Sequence, residues 1–271
     1  KWISYLLLWP SNIMKILKLG QMLGGSNAPS GAAAFENLYS LDFDGVDDYL
    51  DLGDDDAFTP NSSGANRGFS ISFWINADVK SQQIFSKNIG GNNEYECVLR
   101  YNGNLILQLY SSDSISIWQK FNIDTDIVDK NWHHIVYTFD LGSTSSSIIG
   151  YLDGVQKTDG SGGTYSSAGT FVSVSNTAAD LRLAFAGGSF GETLQDEFAI
   201  FDDVLTSSQV TDIYNSGVPA DLSSIDYLIG WWRMGDPDGT SSFPTITDQS
   251  TNSNNGTMTN MVSGDIVTDV P

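Results

Sequence analysis

From residue 39 onward, apolar and polar positions alternate with a period of two. In FSISFWI the side chains of Phe69, Ile71, Phe73 and Ile75 point one way and Ser70, Ser72 and Trp74 the other, the pattern of a strand with one buried face. LILQLY places Leu105, Leu107 and Leu109 on one face, and SISIW sets Ile115 and Ile117 against Ser114, Ser116 and Trp118. Further strands are predicted in HHIVYTFD, IIGYLDG, LRLAFAGG and DEFAIFD, each ended by Gly, Asn or Asp. Strands at this spacing without alternating helices predict an all-β antiparallel sandwich. One helix interrupts them: Thr206 and Gln209 form a capping box, Val210, Ile213 and Tyr214 an apolar stripe, and Gly217 a stop. It is expected to lie over a sheet edge. The stretch 159–169, DGSGGTYSSAG, reads as a flexible surface loop.

Before residue 36 the pattern is different. KWISYLLLWPSNIMKILKLG is apolar and basic, and Lys1, Lys15 and Lys18 precede the first acid, Glu36. The apolar run breaks at Pro10 and is followed by lysines, which argues against a secretory signal. Residues 1–35 are expected to form a docking arm for another subunit, most simply in a homo-oligomer, with residues 36–271 as the domain. Met14 is a candidate start.

Composition narrows the function. The 271 residues carry 33 acids against 12 bases, a net charge of -21, which argues against nucleic acid as a partner and leaves divalent cations open. Apolar residues make up 40% and charged residues 17%, enough for a real core and too mixed for a membrane span. The single cysteine, Cys97, excludes an internal disulfide and reads as a small core residue. Few bases with many Asn, Ser, Gly and acids suit a protein that works outside a cell.

LDFDGVDDYLDLG, FSISFWI, IFSK, WHHIVYTF, YLDG, GETLQDEFAIFDDVLTSSQVTDIYNSG and LIGWWRMGD occur in this order over about residues 41–261. Together they resemble the laminin-G-like, concanavalin A-like jelly-roll family, which includes the pentraxins. The resemblance implies two antiparallel sheets in a jelly roll, with YLIGWWRM as the final strand returning beside the first. The tail from WWRMGDPDG onward is similar to domains of marine bacteriophage virion proteins, which implies a place on a virion surface as a fibre, decoration or receptor-binding part.

The family also implies where chemistry could reside. Its pentraxin-type calcium site is matched loosely by Asn92, Asn93 and Glu94, but AGGSFGET offers only Glu192 for the other half; the pentraxin disulfide positions fall on Ser72 and Val136. Other members hold one structural calcium where an early turn meets a late strand, which points to Asp44 or Asp47 together with Asp196. By residue type alone, Asp44 is also expected to cap its own turn at Gly45. Asp248, Asn252 and Asn254 form a second oxygen-rich loop that turn propensity explains.

Catalysis finds little material. GGSFG around Ser189 has the nucleophile-elbow pattern but is followed by a strand rather than a helix, so a hairpin turn is expected. Glu197 and Asp202 suggest a glycosidase pair, yet positions 197, 199 and 201 hold Glu, Ala and Phe, and the alternating acids of glucanases are missing. His133 and His134 are adjacent on a strand and face opposite sides. Sugar binding requires aromatic faces beside polar groups. Trp74 and Trp118 lie on serine-bearing strand faces, with Tyr95, Tyr110 and Tyr165 as further candidates, whereas Trp132, Trp231 and Trp232 match core positions. The sequence therefore predicts a non-enzymatic lectin-like module for surface display or glycan recognition on a virion or other extracellular assembly. The competing readings are a carbohydrate-binding module of a secreted enzyme system and, last, a glycoside hydrolase.

Overall fold

A computed structural model describes residues 35–112, 114–122, 127–158, 160–166 and 169–271. Residues 1–35, the expected docking arm, fall almost wholly outside them; Phe35 packs on the domain, its ring stacked on Trp231 at 6.2 Å.

In chain order the strands are β1 (Ser40–Asp44), β2 (Tyr49–Asp51), β3 (Phe69–Asn76), β4 (Gln82–Ile89), β5 (Asn92–Leu99), β6 (Asn104–Ser112) and β7 (Ile115–Asn122). There follow β8 (Trp132–Phe139), β9 (Ile148–Leu152), β10 (Val155–Gln156), β11 (Ser161–Ser166), β12 (Leu181–Leu183), β13 (Phe185–Ala186) and β14 (Ser189–Phe190). The last are β15 (Glu192–Phe201), β16 (Leu228–Trp232), β17 (Thr245–Ile246), β18 (Gly256–Thr259) and β19 (Ile266–Val267). One sheet runs β10-β9-β8-β3-β15-β1-β19, with β16 also on β15; the other runs β11-β7-β6-β5-β4-β12-β2-β18-β17. Their pairings are antiparallel, so this is the two-sheet sandwich of a jelly roll.

The predicted alternation supplies the core between the sheets. Phe73, Phe85 and Phe198 meet there with ring centroids 5.3 to 6.2 Å apart, and burial of each such ring stabilises by roughly 2 to 3 kcal/mol. Cys97 lies in the same core, and Ser72 and Val136 are direct partners across β3 and β8.

Four expectations are corrected. First, β3 is buried on both faces, because the helix α1 (Ser207–Tyr214) lies on the outer face of the sheet rather than at its edge. Val136, Ala199, Val210, Ile213 and Trp231 make a second apolar cluster beneath it. Second, the capping box of Thr206 and Gln209 forms, but Asn215, in the left-handed region at φ 46°, ends the helix before Gly217. Third, WWRM is not the closing strand: β16 pairs with β15, and β19 lies beside β1. Fourth, 161–166 within the supposed flexible loop is the edge strand β11, paired with β7 over its whole length.

Candidate functional site

The inner faces of β5, β6 and β7 carry Cys97, Leu105, Leu107, Leu109 and Ile117 into the core. Alternation therefore sends Gln108, Tyr110, Ser116, Trp118 and Lys120 to the outer face. Register lines them up across strands: Gln108, Trp118 and Gly163 form one row, and Tyr110, Ser116 and Tyr165 the next. Trp118 is half-buried because its ring lies against Gly163, where a Cβ would come within 2.6 Å of Cζ2. Tyr165 is 57% exposed on the edge strand.

Polar groups surround these rings. Gln108 Nε2 donates to Ser116 Oγ at 2.9 Å, and Glu96 accepts from Tyr110 Oη at 3.0 Å and from Asn88 Nδ2 at 2.9 Å. Lys120 Nζ sits 5.6 Å from the centre of the Trp118 ring. Trp118, Tyr110 and Tyr165 are thus brought together as an aromatic platform edged with amide, hydroxyl and charged groups, the combination that binds pyranose rings.

The structure separates two other predicted aromatics from any ligand. Trp74 is on the outer face of the opposite sheet, but α1 covers it: its ring stacks on Tyr214 at 5.8 Å and lies 5.0 Å from His134. Tyr95 points into the core and donates its hydroxyl to the Phe58 carbonyl at 2.9 Å. Its alternation partner is Cys97, which places both inward.

The catalytic candidates are bound to other groups. GGSFG is the tight turn of the β13–β14 hairpin, with Gly187 and Gly188 both at positive φ. Glu197 is buried and accepts from Trp231 Nε1 at 2.5 Å and Arg233 Nε at 3.0 Å, while Asp202 pairs with Arg67 at 3.1 Å. His134 is buried against Ser72 at 2.8 Å, and burial pushes it down to about 3. His133 faces the other way, toward Asp153 and Asp129.

For the implied calcium, Asp44 and Asp47 are not near Asp196. Asp44 stands opposite Glu192 on β15, and Asp196 is four residues further, about 13 Å along the strand. Asp44 Oδ1 instead accepts from Val46 N at 2.7 Å and Asp47 N at 3.4 Å, the turn the sequence predicts, and forms with Asp47 and Asp48 a group of carboxylates within 4.8 Å. Asp196 is placed by a β-bulge, at which Glu197 takes φ 49°. Its carboxylate accepts from Asn37 Nδ2 at 2.8 Å and Glu197 N at 2.7 Å. Asp236 is also buried, accepting from Leu38 N at 2.9 Å.

Arg233 pairs with Glu197 at 3.0 Å and with Asp236 at 3.5 Å, whereas Asp196 is held only by Asn37 and the Glu197 amide, and burial together with the Glu197 charge holds its carboxyl well above its usual range. Asn37 Oδ1 and Asp236 Oδ1 are buried acceptors with no partner. These hard-oxygen donors are of the kind that calcium takes. Asp196, Asp236 and Asn37 could hold an ion, and so could Asp44 and Asp47 with Asp48, but Asp44 and Asp196 are too far apart to share one.

The other oxygen-rich places are internally satisfied. Glu94 accepts from the fully buried Lys87 at 2.7 Å and from Thr177 and Thr59. Asp248 accepts from Trp231 N, Ser250 N and Asn254 N, while Asn252 donates to Ile229 O, so that loop is a turn. The sequence reading missed Asn37 and Asp236, which lie 159 and 40 positions from Asp196 and carry no motif. It also missed a cleft of about 270 Å³ on the opposite sheet, lined by Asp42, Asn76, Asp78, Lys130, Glu192 and Asp269.

Comparison with known proteins adds the family. A search of curated proteins found no match. Among solved structures, a carbohydrate binding protein from Bacteroides ovatus, itself described as putative, is similar at 16% identity and a TM-score of 0.57. The match covers 88% of this chain and 62% of that protein, so this chain spans less than two thirds of its length. A heptameric pentraxin from Limulus polyphemus gives 18% identity, a TM-score of 0.43 and coverage of 66% and 82%. The CBM40 domain of a Ruminococcus gnavus sialidase, bound to α2,3-sialyllactose, gives 10%, 0.41, and 65% and 96%. Among the described residues no helix is long and apolar enough to cross a membrane. The family model of the concanavalin A-like lectin/glucanase superfamily matches residues 44–211, more than half of the chain, and the protein belongs to that family.

Proposed function

We propose that this protein is a non-enzymatic lectin-like module that binds glycans on the outer face of its nine-stranded sheet. One observation carries the reading: Trp118, Tyr110 and Tyr165 share that face in two adjacent register rows beside Gln108 and Glu96. Sugar rings stack their apolar faces on such side chains while the amide and carboxylate take hydroxyls. Of the residues that the sequence offered for catalysis, Glu197, Asp202 and His134 are committed to Arg233, Trp231, Arg67 and Ser72, which supports binding without turnover. Use of the face for display or host-surface recognition on a virion or another extracellular assembly follows from the tail's resemblance, and residues 1–35 would supply the contact between subunits.

The test is binding to an array of immobilised polysaccharides by the wild type and by Trp118→Ala. The expected result is retention on at least one polysaccharide and its loss in the variant, with the melting temperature nearly unchanged. Equal retention by the variant would overturn the assignment of the site.

A further inference from the structure

Ion pairing across the molecule sorts its bases into two groups. Arg67 is paired with Asp202, Lys87 with Asp54 and Glu94, Lys130 with Asp78, Arg182 with Asp51 and Asp180, and Arg233 with Glu197. Among the described residues Arg100 and Lys120 form no ion pair, although acids outnumber bases 33 to 12 in the chain. Both lie at one end of the aromatic face. Lys120 follows Trp118 by two residues on the same side of β7, opposite Ile106 on β6 and, beyond it, Val98 on β5. Arg100 is exposed two residues past Val98, where its amide donates to Asn104 O at 2.9 Å. Two strand spacings and two residues separate the two bases, about 12 Å between Cα atoms, the span of a disaccharide.

The described strands of this face are poor in acid. Strands β6, β7 and β11 contain no Asp or Glu. The one carboxylate on the neighbouring strand that shares their face, Glu96, is held by Tyr110 and Asn88 on the side away from Lys120. The face is therefore polar in the electrical sense, basic toward Arg100 and Lys120 and acidic toward Glu96. The net charge of -21 opposes an anionic ligand at long range, but at physiological salt charges more than about 8 Å apart are largely screened. The unpaired bases then decide.

We propose that the glycan bound by this face is an acidic polysaccharide, one carrying carboxylate or sulfate groups. Its ring stacks on Trp118, and its charge is received by Lys120 with Arg100 beyond. The inference rests on the platform reading above and adds to it the class of ligand. A strongly hydrated ammonium beside an aromatic ring suits this division of labour, since the ring fixes the pyranose and the ammonium takes the charged substituent as a charge-assisted hydrogen bond.

Matched polymers test it with the full chain: polygalacturonate against its methyl ester, and a sulfated galactan against the same polymer desulfated, each by affinity electrophoresis and calorimetry at low and high salt. The expected result is that the charged member of a pair binds about tenfold more tightly or better, a preference worth one charged hydrogen bond, and that salt weakens the preference. Lys120→Gln should remove the preference while leaving the neutral polymer's affinity in place, and Trp118→Ala should abolish binding to both. If the neutral member binds as well, or Lys120→Gln leaves the ratio unchanged while Trp118→Ala still abolishes binding, the charge inference fails and the platform stands. If no pair binds, or Trp118→Ala has no effect, the platform reading fails and the inference with it.

Discussion

Gly163 stands directly opposite Trp118 across the β7–β11 pair, so close that a methyl group on its Cα would come within 2.6 Å of the indole Cζ2. The glycine is what allows the ring to lie against the edge strand. Gly163→Ala should tilt or displace the indole without touching the core, because position 163 faces outward. Its expected effect is at least a tenfold loss of glycan affinity, about 1.4 kcal/mol, with a melting temperature within a few degrees of wild type. Unchanged affinity would mean that the indole face is not what the sugar contacts.

Trp74 should behave in the opposite way. Its ring is 2% exposed and packs in a triangle with Tyr214 and His134 beneath α1. Trp74→Ala leaves a cavity there and should cost about 3 to 5 kcal/mol, read as a lower denaturant midpoint, while any residual folded protein binds glycan as before. A variant of normal stability with lost binding would return Trp74 to the site.

The contrast between the two tryptophans shows how far the sequence could be read. Both sit on serine-bearing strand faces, and alternation placed both on the outside of their sheets. Alternation reports which side of its own sheet a side chain takes, not what later packs on that side. For Trp74 the cover is α1, more than 130 residues away in the chain. For Trp118 the neighbouring segment, rich in Gly and Ser, read as a loop because its composition is poor in strand formers; it pairs because β7 offers it an open edge and its glycines accept the indole. The strands, the helix and the family were legible because each rests on local periodicity or an ordered series of motifs. The partners of Asp196 were not, since Asn37 and Asp236 reach it only through the closure of the sheet and the turn after β16.

The turn after β1 carries a pH dependence. Asp48 is 5% exposed, and burial, with the charges of Asp44, Asp265 and Asp47 adding to it and a hydrogen bond from Asp44 N opposing, raises it from 3.8 to about 6. The folded state thus holds this proton more tightly than the unfolded chain. Its contribution to stability is full below about pH 4 and is lost as pH rises through 6. The difference corresponds to at most about 3 kcal/mol. Asp48→Asn keeps an acceptor for Asp44 N and removes the charge, so it should raise the melting temperature by roughly 5 °C at pH 7.5 and leave it unchanged at pH 4. A gain independent of pH would assign the effect to packing instead.

The buried acids around Asp196 lead to the test of a calcium ion. Glu197 and Asp236 share Arg233, Asp196 is held only by Asn37 and the Glu197 amide, and Asn37 Oδ1 and Asp236 Oδ1 have no partner. An ion there would join the segment before β1 to β15 and to the turn after β16, three places far apart in sequence. Because the unfolded chain cannot assemble those ligands, binding stabilises the native state by about 2.7 kcal/mol at a hundredfold excess over Kd. Chelation is therefore expected to lower the melting temperature by several degrees, and restored calcium to recover it. Asp236→Asn keeps an acceptor for Leu38 N but removes one charge, and Asp196→Asn removes another; each should abolish most of the calcium response. Asp44→Asn, about 13 Å from Asp196 along β1 and β15, should leave the response intact. Magnesium at equal ionic strength is the control, since any divalent ion screens a net charge of -21, while the small octahedral shell of magnesium fits a calcium cage poorly. Equal protection by magnesium, or a response lost with Asp44→Asn and kept with Asp196→Asn, would move the ion out of the buried cluster.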